Sequence, residues 1–216
     1  PQAARLIRSN LRLPLAMHRL GSAPSAAGSL AEAPLPIDAV LPEILERLEA
    51  VGSTLLLHAP PGAGKTTRVP LALLHRLQEQ RSQDERHTVL MLEPRRLAAK
   101  AAAQRLAASL KQAVGETVGY RVRLEQRCSK ATRLEVLTDG LFLRRLQGDP
   151  ALAGVSCVIF DEFHERRADT DLALALLRES RPLLAPELRL LVMSATLDLT
   201  PLARQLPEAA VICSEG

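Results

Sequence analysis

The chain has 216 residues, 47% of them apolar, enough for one α/β domain whose core needs no covalent staple. Cys128, Cys157 and Cys213 lie far apart with no C-x-x-C pair, which excludes a disulfide framework and a zinc site and fits a reducing cytoplasm. No apolar run reaches the roughly 18 residues of a membrane span, and Arg5, Arg8, Arg12 and Arg19, all ahead of the first acid Glu32, account for the formal charge of +4; any nucleic-acid footprint on the rest must be local.

Residues 1–34 carry those arginines and are rich in Ala, Ser and Pro from Gly21 onward. Such a composition reads as a disordered or leader segment and resembles an organelle transit peptide. The folded part is expected over 35–216. In chain order it predicts a helix at 38–51, a strand at 53–58, a helix at 66–80, a strand at 88–92 and a helix at 96–112. A strand at 133–138, a helix at 139–147, a strand at 155–160, a helix at 168–179 and a strand at 188–193 follow. Pro182 and Pro186 bracket the connection before that last strand, because proline ends helices. The alternation predicts a doubly wound, mostly parallel sheet with helices on both faces. The run Gly119-Tyr-Arg-Val-Arg-Leu-Glu125, with Arg121 and Arg123, has the alternation of a surface strand or the lining of a groove.

Ligands of such sheets sit beyond the carboxyl ends of the strands, so chemistry is sought just after each one. After the first strand comes Ala59-Pro-Pro-Gly-Ala-Gly-Lys-Thr-Thr67. A strand that stops at a glycine-bearing loop and restarts as a helix aims backbone N–H groups and a helix N-terminus at one anion. Pro61, Gly62, Ala63, Gly64, Lys65, Thr66 and Thr67 are the expected cradle, with Lys65 reaching the β- and γ-phosphates and Thr66 facing Mg²⁺. Ala59 stands where the first glycine of the P-loop pattern belongs.

The strand 155–160 releases Asp161-Glu162-Phe163-His164-Glu165-Arg166. Beside a P-loop, one acid holds Mg²⁺ through its waters and the other polarises the attacking water; Asp161 takes the first role and Glu162 the second. His164 alone among the five histidines adjoins an acid pair at a strand end. Ser194, Ala195 and Thr196 follow the strand 188–193 and put two hydroxyls at the edge where a γ-phosphate would lie. From the residues alone, Thr138 and Asp139 read as a helix cap.

Together these stretches resemble the superfamily 2 helicases of the DEAH/RHA group, and more narrowly the bacterial HrpB-type ATP-dependent helicases. APPGAGKTT resembles motif I, LEPRRLAAKAAAQRLA at 92–107 motif Ia, TDGLFLRRL at 138–146 motif Ib, DEFHER motif II and MSATLD at 193–198 motif III. HrpB-type motifs accept alanine at 59 and phenylalanine at 163.

The resemblance implies a RecA-like P-loop NTPase domain, the first of two in a motor that uses ATP and Mg²⁺ to track single-stranded RNA. It implies that Lys65, Asp161, Glu162 and His164 serve catalysis, that Pro94, Arg95, Arg96, Thr138, Asp139 and Gly140 touch the strand, and that His164, Ser194, Ala195 and Thr196 couple phosphate state to domain motion. Arg105 matches an arginine that stacks on adenine, although a solvated helix arginine would read the same way. Relatives of this kind complete catalysis with arginines from the second RecA-like domain, so the chain alone is expected to bind nucleotide with weak turnover. A non-catalytic, nucleotide-dependent RNA-binding or regulatory module is the alternative. A guanine-reading N-K-x-D string is absent.

Overall fold

Eight strands form one sheet in the computed structural model, which describes residues 33–79, 87–196 and 199–215. The expected leader at 1–34 lies outside the described residues except at its last two positions, as does Gln80, the predicted end of the second helix. A compact unit spans Ala33–Gly216.

The strands are β1 (Thr54–His58), β2 (Thr88–Leu92), β3 (Val118–Val122), β4 (Glu125–Arg127), β5 (Leu134–Leu137), β6 (Val155–Phe160), β7 (Arg189–Ser194) and β8 (Ala210–Cys213). Their order in the sheet is β4-β3-β5-β2-β6-β7-β1-β8, with every pair parallel except the β3–β4 hairpin. The helices are α1 (Leu41–Arg47), α2 (Lys65–Glu79), α3 (Arg96–Ser109), α4 (Asp139–Gly148), α5 (Ala168–Leu184) and α6 (Thr200–Gln205).

Side chains of successive strand residues point to opposite faces, so a strand covered on both sides must be apolar throughout and feed two cores. Leu55 and Leu57, Val89 and Met91, Cys157 and Ile159, and Leu191 and Met193 pack with α1, α2 and α3. Their neighbours Leu56, Leu90, Leu92, Val158, Phe160, Leu190 and Val192 pack with α4, α5 and α6. The parallel arrangement thus follows from the near-continuous apolarity of these runs.

Several elements differ from expectation. The predicted helix 38–51 is a 3₁₀ turn at Pro36–Ala39 followed by the shorter α1, which enters through Pro42 as its second residue and ends at Arg47. The helix predicted to stop at 179 continues to Leu184 with Pro182 inside it. Proline removes one backbone donor there, but the buried Arg181 anchors the last turn: its Nη2 donates to Thr54 Oγ1 at 2.8 Å and its Nη1 to the Ser53 carbonyl at 3.4 Å. The strand at 188–193 is not the last, because β8 pairs in parallel with β1. Glycine at 119 is demanded by the hairpin, where a Cβ would lie 2.5 Å from the Arg127 carbonyl oxygen.

Phe160, fully buried, meets Phe142 and Phe163 edge to face with ring centroids 6.2 and 6.1 Å apart. Phe160→Ala is expected to lower unfolding free energy by about 3 to 5 kcal/mol, since large-to-small changes leave a cavity as well as losing transfer energy. Urea unfolding followed by circular dichroism measures it, and a loss below about 1 kcal/mol would contradict this packing.

Candidate nucleotide site

The loop between β1 and α2 begins with Ala59, whose N–H donates to the Ser194 carbonyl at 3.1 Å and whose side chain is fully buried. The fold therefore accommodates a Cβ at the position of the missing glycine. Gly62 and Gly64 have φ of 84° and 95°, a region that favours glycine. At Gly64 a Cβ would also lie 2.6 Å from Leu35 Cδ1, so the Leu35 side chain would have to shift. The preceding segment clasps the loop, with the Ile37 N–H donating to the Ala63 carbonyl at 3.0 Å. Pro61 and Gly62 are exposed at the loop tip.

Lys65 opens α2 and is buried, with Nζ 3.0 Å from Glu162 Oε1. Thr66 Oγ1 donates to Asp161 Oδ2 at 2.6 Å. Thr67, expected among the nucleotide contacts, donates its hydroxyl to the Gly64 carbonyl at 3.2 Å, so the helix start already uses it.

Beyond β6 the backbone reverses sharply. Glu162 and Arg166 both adopt the left-handed region at φ 50° and bracket a 3₁₀ turn over Phe163–Glu165. Such non-glycine residues cost strain and persist only where their surroundings hold them. Asp161 Oδ1 accepts the Glu162 N–H at 2.8 Å, and the Arg166 guanidinium bonds Asp171 and lies over the Phe163 ring. His164 Nδ1 accepts the Ala195 N–H at 3.2 Å, which assigns the ring proton to Nε2, 3.4 Å from Glu162 Oε2. Ser194 Oγ accepts the Thr196 N–H at 3.2 Å and lies 3.0 Å from Thr196 Oγ1. Lys65, Thr66, Asp161, Glu162, His164, Ala195, Ser194 and Thr196 are thus one connected set at the ends of β1, β6 and β7.

Glu93 was not anticipated as part of this set. It follows β2, is 3% exposed, and its carboxyl is raised to about 8, first by burial and then by Asp161 and Glu162, against the opposing charge of Arg105. Its place immediately after a strand was the available signal. Burial also raises Asp161, partly offset by the Thr66 hydrogen bond. Arg105 is exposed on α3, and its charge reaches Glu93.

A buried carboxyl hydrogen-bonded to a hydroxyl at the start of the helix that follows the glycine loop offers the hard oxygen donors that fit Mg²⁺. Thr66 and Asp161 are the groups that would hold it. Among the described residues no cluster of three His, Cys, Asp or Glu side chains is placed to chelate a metal by itself; Mg²⁺ at such sites takes one or two protein groups and completes its shell with water and phosphate oxygens.

Pro94 is half-buried, while Arg95 and Arg96 are exposed at the head of α3. Arg96 Nη2 donates to the Arg123 carbonyl at 3.0 Å, tying α3 to the hairpin. Arg121 and Arg145 both grip the buried Glu135, at 2.7 and 3.2 Å. Thr138 occupies the cap position of α4, but its side chain makes no capping bond; its carbonyl instead accepts from Leu141 and Phe142. Asp139 is turned inward, 3% exposed, and Oδ2 accepts from Thr170 Oγ1 at 2.5 Å. Its carboxylate is therefore turned into the fold, which leaves the backbone at Asp139 as the part that can face a strand. Gly140 is exposed, and a Cβ there would find only ordinary contact, so its bare backbone answers no steric demand of the fold.

Residues 38–204 match the DEAD/DEAH box helicase family, and the chain belongs to it. Among its relatives is ATP-dependent RNA helicase HrpB of Escherichia coli (strain K12), 50% identical over 84% of this chain and 22% of that protein. ATP-dependent RNA helicase DHX30 of Gallus gallus is 42% identical over 76% of this chain and 13% of its own length. The crystal structure of Escherichia coli DEAH/RHA helicase HrpB superposes with a TM-score of 0.76 over 84% of this chain and 22% of that one. The α/β fold is accordingly the RecA-like P-loop NTPase fold of that helicase. The chain spans about a fifth or less of the length of these relatives.

Because Glu93 and Asp161 both sit above their ordinary range, the nucleotide-free fold binds more protons than the unfolded chain between about pH 4.5 and 8. Stability is therefore expected to be greatest at the acid end of that window and to fall as pH rises through it. Glu93→Gln should remove a slope of up to about 1.4 kcal/mol per pH unit. Urea midpoints taken across the window in the absence of metal and nucleotide check this; parallel slopes for the two proteins would contradict it.

Proposed function

We propose that residues 35–216 are the first RecA-like domain of an ATP-dependent RNA helicase and that the protein works in the cytoplasm. The observation that carries the reading is the hydrogen-bonded set joining Lys65 and Thr66 to Asp161 and Glu162, and through His164 to Ala195. No described helix is long and apolar enough to cross a membrane.

The phosphates of ATP would lie against the backbone N–H groups of residues 62–67 at the start of α2, where partial positive charge gathers. Lys65, now paired with Glu162, exchanges that carboxylate for phosphate oxygens. Glu162 is then released to orient a water for in-line attack. Mg²⁺, when bound, neutralises charge on the phosphate oxygens. His164 holds Glu162 on one side and the backbone of Ala195 on the other, so a change at the phosphate reaches the end of β7. Charge developing in the transition state would be met by arginines of a second RecA-like domain.

RNA is proposed as the strand because the relatives are named as RNA helicases. Pro94, Arg95, Arg96 and the backbone of Thr138, Asp139 and Gly140 follow β2 and β5 at the carboxyl edge of the sheet. Contacts from arginines and bare backbone address phosphates rather than bases, so binding tracks the strand without reading sequence. Arg105 is proposed to face the adenine.

Lys65→Ala should weaken binding of a fluorescent ATP analogue at least about tenfold, the loss of one charge-assisted phosphate contact. Glu162→Gln should retain that binding while turnover, assayed together with the second domain, falls by about 10² or more. Unaltered nucleotide affinity in Lys65→Ala would refute the assignment. A high RNA-stimulated ATPase rate from residues 1–216 alone would refute the need for a second domain.

A further inference from the structure

Glu165 lies outside the phosphate chemistry, yet the structure gives it a specific partner. Arg95 Nη2 is 3.0 Å from Glu165 Oε1 and Arg95 Nε is 3.3 Å from Oε2, a fork-to-fork pair. The two partners are unequally placed. The Arg95 side chain is 68% exposed at the end of β2, whereas Glu165 is 23% exposed in the 3₁₀ turn. Its neighbour Arg96 bonds a neutral carbonyl instead.

The turn that carries Glu165 also carries the water-orienting acid. The Glu165 N–H donates to the Glu162 carbonyl at 3.0 Å, and the Glu162 carboxylate touches Lys65 and His164. One short turn therefore faces an arginine of the proposed strand groove at one end and the phosphate lysine at the other.

We propose that Glu165 is a positioning residue that competes with a strand phosphate for Arg95, so that strand occupancy is transmitted to Glu162 through the turn at Phe163–Glu165. The inference rests on the proposed reading of Arg95 as a strand contact. A guanidinium engaged by both carboxylate oxygens cannot offer the same two N–H groups to a phosphate. The exchange is feasible because an exposed ion pair contributes about 1 kcal/mol or less, and a phosphate restores equivalent bonds. Once Arg95 turns to the strand, Glu165 faces a like charge and must withdraw. Withdrawal removes the ion pair that holds this side of the turn, whose two ends adopt the left-handed region at Glu162 and Arg166 and depend on their contacts. Linkage makes the effect reciprocal, so occupancy of the nucleotide site alters strand affinity by the same factor.

The test uses residues 1–216 with a labelled oligouridylate, followed by fluorescence anisotropy with and without the magnesium complex of a non-hydrolysable ATP analogue. Arg95→Ala should weaken strand binding and reduce the salt slope by about 0.7, the value for one phosphate contact on a single strand. Glu165→Gln should tighten strand binding about three- to fivefold, as removal of a competitor of this strength allows. The tightening should vanish in the Arg95→Ala/Glu165→Gln double variant, and the factor by which the ATP analogue changes strand affinity should approach one in Glu165→Gln.

A carboxylate acting only through its charge near the groove would still tighten binding when replaced in the Arg95→Ala background, so tightening that persists in the double variant refutes the competition. If Arg95→Ala weakens binding but Glu165→Gln does not tighten it, the competition is refuted while the strand reading of Arg95 survives. If Arg95→Ala leaves both affinity and salt slope unchanged, the strand reading itself fails. An analogue effect in Glu165→Gln equal to that of the unaltered chain refutes the link to Glu162. Urea midpoints verify folding, and Glu165→Asp, too short to reach both guanidinium nitrogens, provides a second variant that should shift affinity in the same direction.

Discussion

The hydrogen bond from Thr66 to Asp161 holds the site together. Asp161 is 1% exposed, and a buried carboxylate is costly unless its oxygens are satisfied. The Thr66 hydroxyl serves one oxygen and the Glu162 N–H the other. Since β7 lies between β6 and β1 in the sheet, this bond bridges two strand ends that are not neighbours. It thereby fixes the start of α2 against the turn that follows β6, and the Lys65–Glu162 pair forms in the same place.

That arrangement is electrostatically expensive in the absence of ligand. Glu93, Asp161 and Glu162 crowd one pocket, where burial and mutual repulsion push Glu93 and Asp161 toward their protonated forms, with Lys65 buried beside Glu162 and the charge of Arg105 acting from α3. A polyphosphate carrying a divalent cation would relieve the crowding from both directions, giving Lys65 a new partner and the acids a counter-charge. Strain stored at Glu162 and Arg166 belongs to the same economy of function, because a turn held by its contacts can shift when those contacts are exchanged.

Much of this was legible in the residues. Apolar runs of five or six residues alternating with helical segments specified the central strands and the parallel sheet, and the structure brings Lys65, Thr66, Asp161 and Glu162, each singled out by its place after a strand, into contact. The two prolines misled at 182, because the anchoring of Arg181 by Thr54 and Ser53 is a contact across more than a hundred residues. The strand β8 escaped because four residues, two of them exposed, carry no periodic signal until β1 supplies an edge to pair with. Glu93 was not singled out although it directly follows β2, and nothing local reveals that it meets Asp161.

Local chemistry determined which residues could turn or bury: glycine for positive φ and apolar runs for covered strands. Tertiary structure alone decided which of them meet. The order of the strands set Asp161 against Thr66, turned Asp139 inward to Thr170, and joined Arg95 to Glu165. The reason is that backbone preference acts over a few residues, whereas charge pairing and desolvation act between whatever the sheet topology places within a few ångströms.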